Sequence, residues 1–182
     1  PEATEACGGG RAWEAMRLVA PGNVDTAPAA CRPFAADRAG LVLGEGGAAM
    51  VLEDWDHAVA RRARIHAEIV GYGASCDRSH LVRPEAEGQA RALRAALADG
   101  GLTARDVGYV NAHGTATVEG DPIEVSALKT VFGDHAPSLA VSATKSMHGH
   151  LMGAAGAIEA LATVLALREQ AIPPTAHLQG RL

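Results

Sequence analysis

Aromatic side chains are scarce in this chain, at 3% of its 182 residues. A core without large rings has to be filled by small and aliphatic side chains, which requires backbones to pack closely. Cysteine is equally sparse: Cys7, Cys31 and Cys76 are an odd set, and no C-x-x-C pair occurs. That excludes a disulfide framework and a structural zinc site of the usual spacing. No apolar run reaches the roughly 18 residues that cross a bilayer, and no charged-then-apolar leader opens the chain, so a cytoplasmic location is the expectation. Positive charge is not in excess: the formal net charge is −5, which gives nothing for nucleic acid to bind. The chain also lacks an initiator methionine, opening Pro1-Glu2-Ala3-Thr4-Glu5. That start reads as a fragment, a processed chain or a truncated reading frame.

What is present is a 48% hydrophobic, 20% charged sequence, the balance of a globular domain with a real core. No internal repeat breaks it. Residues 8–20 predict a short helix, and residues 21–33, rich in proline and glycine, a loop. Residues 41–43 and 48–52 read as buried strand on either side of the bend Gly44-Glu45-Gly46-Gly47. Asp54 is placed to cap a helix running to Arg64. A strand is expected over 67–73. A helix follows over 87–98, where Ala90, Leu93 and Leu97 share a face and Gly100-Gly101 stops it. Short strands are expected over 107–110 and 139–142. Asp121-Pro122 should open a helix as cap and first turn, and residues 153–169 a long one with Ile158, Leu161 and Leu165 on one face. Strands alternating with helices predict a layered α/β domain.

Two segments invite chemistry. In Val110-Asn111-Ala112-His113-Gly114-Thr115-Ala116-Thr117 a histidine follows a strand end directly, where α/β sheets place their ligands. Gly114 permits close backbone approach, and Thr115 and Thr117 add two hydroxyls. The alternative is a histidine that only caps a turn. The second segment, Ser142-Ala143-Thr144-Lys145-Ser146-Met147-His148-Gly149-His150, leads into Leu151-Met152-Gly153-Ala154-Ala155-Gly156-Ala157. So little side-chain bulk demands tight packing and a buried helix start. Lys145 and two histidines there are costly to desolvate, a cost accepted for function or for a paired network. Glu159 is spaced to supply Lys145 with a counter-charge. The competing reading is a Lys–Glu pair that only organises the fold. His148-x-His150 has no acidic or cysteine ligand spaced to complete a metal set, so no metal is expected. Arg61-Arg62-Arg64 reads as a solvated face, with docking of an acidic partner as its alternative.

These two strings, in this order and separation, resemble β-ketoacyl-acyl carrier protein synthases of the elongating type (synthase II-like). Arg32-Pro33-Phe34, Asp37-Arg38-Ala39-Gly40, Gly44-Glu45-Gly46, Gly120-Asp121-Pro122-Ile123-Glu124 and Ile172-Pro173-Pro174-Thr175 match as well. The likeness runs from about Glu5 to Leu178. It implies a thiolase-like fold of five layers, α-β-α-β-α, with residues 1–182 as the C-terminal ketosynthase domain, incomplete at both ends: a mixed sheet flanked by helices. It implies a decarboxylating Claisen condensation of malonyl-acyl carrier protein with an acyl thioester, in fatty-acid or polyketide synthesis. His113 and His150 are then the catalytic histidines, Lys145 biases them to the neutral form, Glu159 holds Lys145, and Thr115 and Thr117 bond the pantetheine arm. No cofactor is implied. The partners are acyl carrier protein and a second copy in a homodimer. The family's nucleophilic cysteine precedes everything in this chain, and none of Cys7, Cys31 or Cys76 replaces it. His148 stands where threonine is frequent in fatty-acid members and histidine is found in some specialised ones, nodulation-type synthases among them, which points to a specialised acyl chain. The alternatives are a non-catalytic partner of the chain-length-factor type and a truncated inactive product. Half of such a fold, by itself, should leave a broad apolar face uncovered and associate or aggregate.

Overall fold

The computed structural model describes residues 7–80 and 82–180. The opening residues 1–6 and the final two, with the abrupt start and the domain ends expected there, lie outside them, as does the Cys7 side chain.

The centre of the fold is a parallel strand pair. β1 (Tyr109–Asn111) and β2 (Ala140–Ser142) run side by side with Tyr109 opposite Ala140 and Asn111 opposite Ser142. The Ala112 amide continues the ladder to the Ser142 carbonyl at 2.8 Å. Because the strands are parallel, both C-terminal ends emerge at one edge, so the residues that follow each strand meet there. Between the strands the chain makes α4 (Gly120–Phe132). This packs on α3 (Ala86–Asp99). Leu128, Phe132 and Leu139 form a buried cluster, against which the partly buried Leu93, Val107 and Val110 pack. Many of the other buried positions are alanines: Ala35, Ala90, Ala116, Ala127 and Ala143 expose no surface. The shortage of rings is resolved in this way, by small side chains that let backbones approach.

The remaining elements are α1 (Cys7–Ala15), α2 (Trp55–Ala60), the single turn α5 (Lys145–His148) and α6 (Ala155–Glu169). Each expected helix is present with shifted ends, while the turn α5 was not expected. The first helix stops at Ala15 instead of residue 20. Asp54 does cap α2, accepting from the His57 amide at 3.1 Å. That helix ends at Ala60 rather than Arg64, with Arg62 in the left-handed region at φ 57°. Asp121 is not the cap of α4; Glu119 occupies that position. The Asp121 carboxylate is turned instead onto the Phe34 amide at 2.8 Å and the Ala116 amide at 3.1 Å. The start of α6 is buried as expected, with Leu151, Ala154 and Ala155 packed against Ile158. Leu161 and Leu165 on the same helix are exposed.

The α/β layering holds, but the mixed sheet expected here is represented among the described residues by one parallel pair. Residues 41–43 contribute only single bridges, Leu41 to Val19 and Leu43 to His150. Residues 48–52 and 67–73 form no ladder, and Val51 is 91% exposed and Tyr72 74%. Their β-type patterns need a neighbouring strand to become a sheet, and no described strand lies beside them. Residues 71–73 instead cross α3 so closely that a Cβ on Gly73 would sit 2.1 Å from the Ala92 carbonyl oxygen. Among residues 48–52 and 67–73, Val51, Leu52, Ile69 and Tyr72 stand in solvent.

Gly44 is the tightest link between the glycine-rich bend and the chemistry-bearing segment. An added Cβ would lie 2.2 Å from the His148 carbonyl oxygen, and backbone must move to admit it. Gly44→Ala is expected to destabilise by about 1–3 kcal/mol. The drop should be visible as a lower urea midpoint with an unchanged denaturant slope. An unshifted midpoint would mean that the bend and residues 148–150 are not in contact.

Candidate active site

At the edge where β1 and β2 end, His113, Lys145 and His150 come together. His113 follows β1 by two residues, Lys145 opens α5 after β2, and His150 comes from the turn after α5. The His150 amide donates to the Val42 carbonyl at 2.7 Å, and its carbonyl accepts from the Gly44 amide at 3.0 Å. The glycine-rich bend thus holds His150 from both sides. The two imidazoles meet edge to face, with ring centroids 5.3 Å apart and planes at 86°.

Lys145 is completely buried. Its ammonium has three protons and three partners: the Glu159 carboxylate, the His113 carbonyl at 2.6 Å and His113 Nδ1 at 3.3 Å. An ammonium only donates, so His113 Nδ1 is the acceptor and its proton sits on Nε2. His150 reaches the same tautomer separately, because its Nδ1 accepts from the Met152 amide at 3.1 Å. Both rings therefore carry Nε2–H, and no described residue takes either one.

The electrostatics keep both rings neutral. Burial, then the Lys145 charge, then the neighbouring imidazole push His113 down to about 4. Burial, Lys145 and His148 do the same for His150, also to about 4. His113 keeps an edge open to water, so for that ring the Lys145 charge at 3.3 Å is the cause that persists. A base with a depressed folded pKa binds fewer protons folded than unfolded between the two values. Stability is therefore intact above about pH 6.5, the ordinary histidine value. It falls as pH drops toward 4. Urea midpoints measured across that window should decrease with acid, and replacing both histidines with glutamine should flatten the decrease. A slope of the opposite sign would place a proton on the folded pair.

Thr115 is buried and Thr117 partly so, their hydroxyls 3.0 Å apart. Thr117 Oγ1 also accepts from the Gly120 amide at 3.2 Å. Cys31 is buried, and its thiol donates to the Lys145 carbonyl oxygen at 3.0 Å. Burial raises its pKa to about 11, the reverse of an activated nucleophile. Cys76 is exposed. No metal-binding group of three His, Cys, Asp or Glu exists among the described residues.

Two carboxylates of the Gly120-Asp121-Pro122-Ile123-Glu124 string, read in sequence only as a helix start and a family match, build the turn that carries His113. Glu124, on α4, accepts from the His113 amide at 2.7 Å and the Gly114 amide at 2.8 Å. Asp121, one turn earlier and 1% exposed, ties Ala116 to Phe34. Arg38 stands 3.9 Å from that carboxylate and donates to the Thr117 and Val118 carbonyls. Their only sequence signal is acidic residues in the first turns of a helix just after a glycine turn. Asn111 was missed as well: its amide donates to the Glu159 carbonyl at 3.1 Å, fixing the turn of α6 from which Glu159 reaches Lys145.

Similarity to known proteins agrees with this geometry. Nodulation protein E of Rhizobium sp. (strain N33) is 54% identical over 92% of this chain and 40% of its own length. The 3-oxoacyl-[acyl-carrier-protein] synthase 2 of Coxiella burnetii is 48% identical over 92% of this chain and 41% of its own. The chain thus spans about two fifths of these relatives. A solved complex of a type II PKS acyl-carrier protein with its ketosynthase bound to the hexaketide superposes with a TM-score of 0.94 at 32% identity, over 100% of this chain and 45% of that one. No described helix is long and apolar enough to cross a membrane. Residues 66–179 match the family described as Beta-ketoacyl synthase, C-terminal domain, and the chain belongs to that family.

Proposed function

We propose that this chain supplies the decarboxylation half of a condensing active site, in which malonyl-acyl carrier protein loses carbon dioxide and the resulting enolate attacks an acyl thioester. The observation that carries this reading is the pair of Nε2–H donors on neutral imidazoles 5.3 Å apart, backed by a buried ammonium. Decarboxylation leaves negative charge on the thioester oxygen. Fixed donors aimed where charge develops stabilise that state at no reorganisation cost. Thr115 and Thr117 hydrogen-bond the pantetheine arm that delivers the malonyl group. The cysteine that holds the acyl chain belongs to another segment, since Cys31 is buried and protonated. Residues 1–182 act as one C-terminal ketosynthase domain, in a cytoplasmic homodimer served by acyl carrier protein.

The test is the rate of carbon dioxide release from malonyl-acyl carrier protein. It is measured on the polypeptide that joins this sequence to the cysteine-bearing segment, with His113 and His150 each replaced by alanine. Wild-type release from both variants would end the reading. A chain-length-factor type of partner is disfavoured by the intact set His113, His150, Lys145 and Glu159, in which Lys145 bonds both His113 and Glu159.

A further inference from the structure

His148 lies next to the pair, yet the chemistry above gives it no task. It is half-buried and makes two ring bonds. Nδ1 is 2.8 Å from the Gly149 carbonyl oxygen, and Nε2 is 3.2 Å from Thr144 Oγ1. A carbonyl only accepts, so Nδ1 carries the proton and Nε2 takes the Thr144 hydroxyl. This tautomer is the opposite of the one on His113 and His150.

The carbonyl that His148 holds belongs to the peptide group whose other end is the His150 N–H. That N–H donates to the Val42 carbonyl at 2.7 Å. A peptide unit is planar, so a bond at each end fixes the plane, and with it the direction in which the His150 Cα projects its ring. The fixation is needed here because Gly149, at φ 73° and ψ −174°, has no side chain to restrict it. At its far side His148 is itself held. The Thr144 hydroxyl lies 3.5 Å from Asn111 Oδ1, and Asn111 anchors the backbone of Glu159. The Thr144 hydroxyl has one proton and gives it to His148 Nε2, so the hold on His148 ends at Thr144.

We propose that His148 is a positioning residue, which orients the His150 imidazole by clamping the Gly149–His150 peptide between its own Nδ1–H and the Val42 carbonyl. This rests on the decarboxylation reading for its consequence in rate, but not for its consequence in geometry, so two readouts are taken. In the polypeptide joined to the cysteine-bearing segment, His148→Ala should lower kcat for malonyl decarboxylation about tenfold or more, with KM nearly unchanged, as expected when a reacting group is misplaced by a fraction of an ångström. His148→Asn, whose side-chain amide can donate to the same carbonyl, should recover most of the rate. In the same variants, nitrogen-15 spectra should show His150 held as Nε2–H with Asn at 148 and as a tautomer mixture with Ala. A wild-type kcat and an unmoved His150 spectrum in His148→Ala would overturn the proposal. So would a loss that Asn does not recover while the melting temperature stays at the wild-type value. His113→Ala run alongside separates the two ideas. If it leaves decarboxylation intact, the functional reading fails, and the His150 spectrum alone then decides the role of His148.

Discussion

Lys145→Met is expected to destabilise the protein by about 3–5 kcal/mol, the loss that follows when one member of a buried ion pair is removed. Lys145 is fully buried and the Glu159 side chain is 15% exposed, so methionine would leave a carboxylate in the interior without its counter-charge. The same substitution strips the His113 carbonyl of its 2.6 Å donor. It also removes the positive charge that helps depress both imidazoles. Their pKa values should therefore climb toward the ordinary value, and His113 Nδ1, without a donor, should begin to share the proton with Nε2. Chemical denaturation and histidine titration by NMR read the two effects separately. Adding Glu159→Leu to Lys145→Met should recover part of the stability, because a neutral pair of similar volume strands no charge. Recovery of stability without recovery of the histidine pKa values would identify the ammonium, rather than the fold, as the source of the shift. A loss below about 1 kcal/mol, the range of solvent-exposed pairs, would contradict the burial of Lys145.

How far these groups were legible in sequence depends on the range of the interaction. His113 and Lys145 each follow a short apolar strand, and that local pattern was enough to place them at one edge once the strands proved parallel. Lys145 with Glu159 was readable from charge economy: a lysine amid alanines and glycines needs an acid, and Glu159 is the first acid on the helix that follows. The bonds of Glu124 and Asp121 to the His113–Ala116 turn were not read, because a carboxylate that serves backbone amides leaves no periodic trace. The same limit explains residues 48–52 and 67–73. Their composition describes a strand, while pairing depends on what lies beside them, and among the described residues no strand pairs with the first. The second lies beside α3, which Gly71 and Gly73 approach. The exposed positions Val51, Leu52, Ile69 and Tyr72 mark where sequence propensity and available partners part.

The pair His113 and His150 sets the other large effect. Loss of one fixed donor to a developing oxyanion costs about 10²–10³ in rate, and under the proposed function each alanine variant, in the polypeptide joined to the cysteine-bearing segment, is expected to lose decarboxylation by that amount. The double variant should lose little beyond the worse single one, since groups that act on one oxygen as a unit are not additive. Acyl loading onto the cysteine makes no enolate at this site and should persist in all three. That split separates charge stabilisation from general damage, because a misfolded edge would slow both steps. The pH profile adds an independent check. With both rings pushed down to about 4, the decarboxylation rate should stay level from neutral pH to about pH 5 and decline only below it. An acid limb near the ordinary histidine value of about 6.5 would mean that Lys145 does not hold the pair neutral. The Lys145→Met variant, in which that restraint is gone, should move the limb up toward that value while His113 and His150 remain.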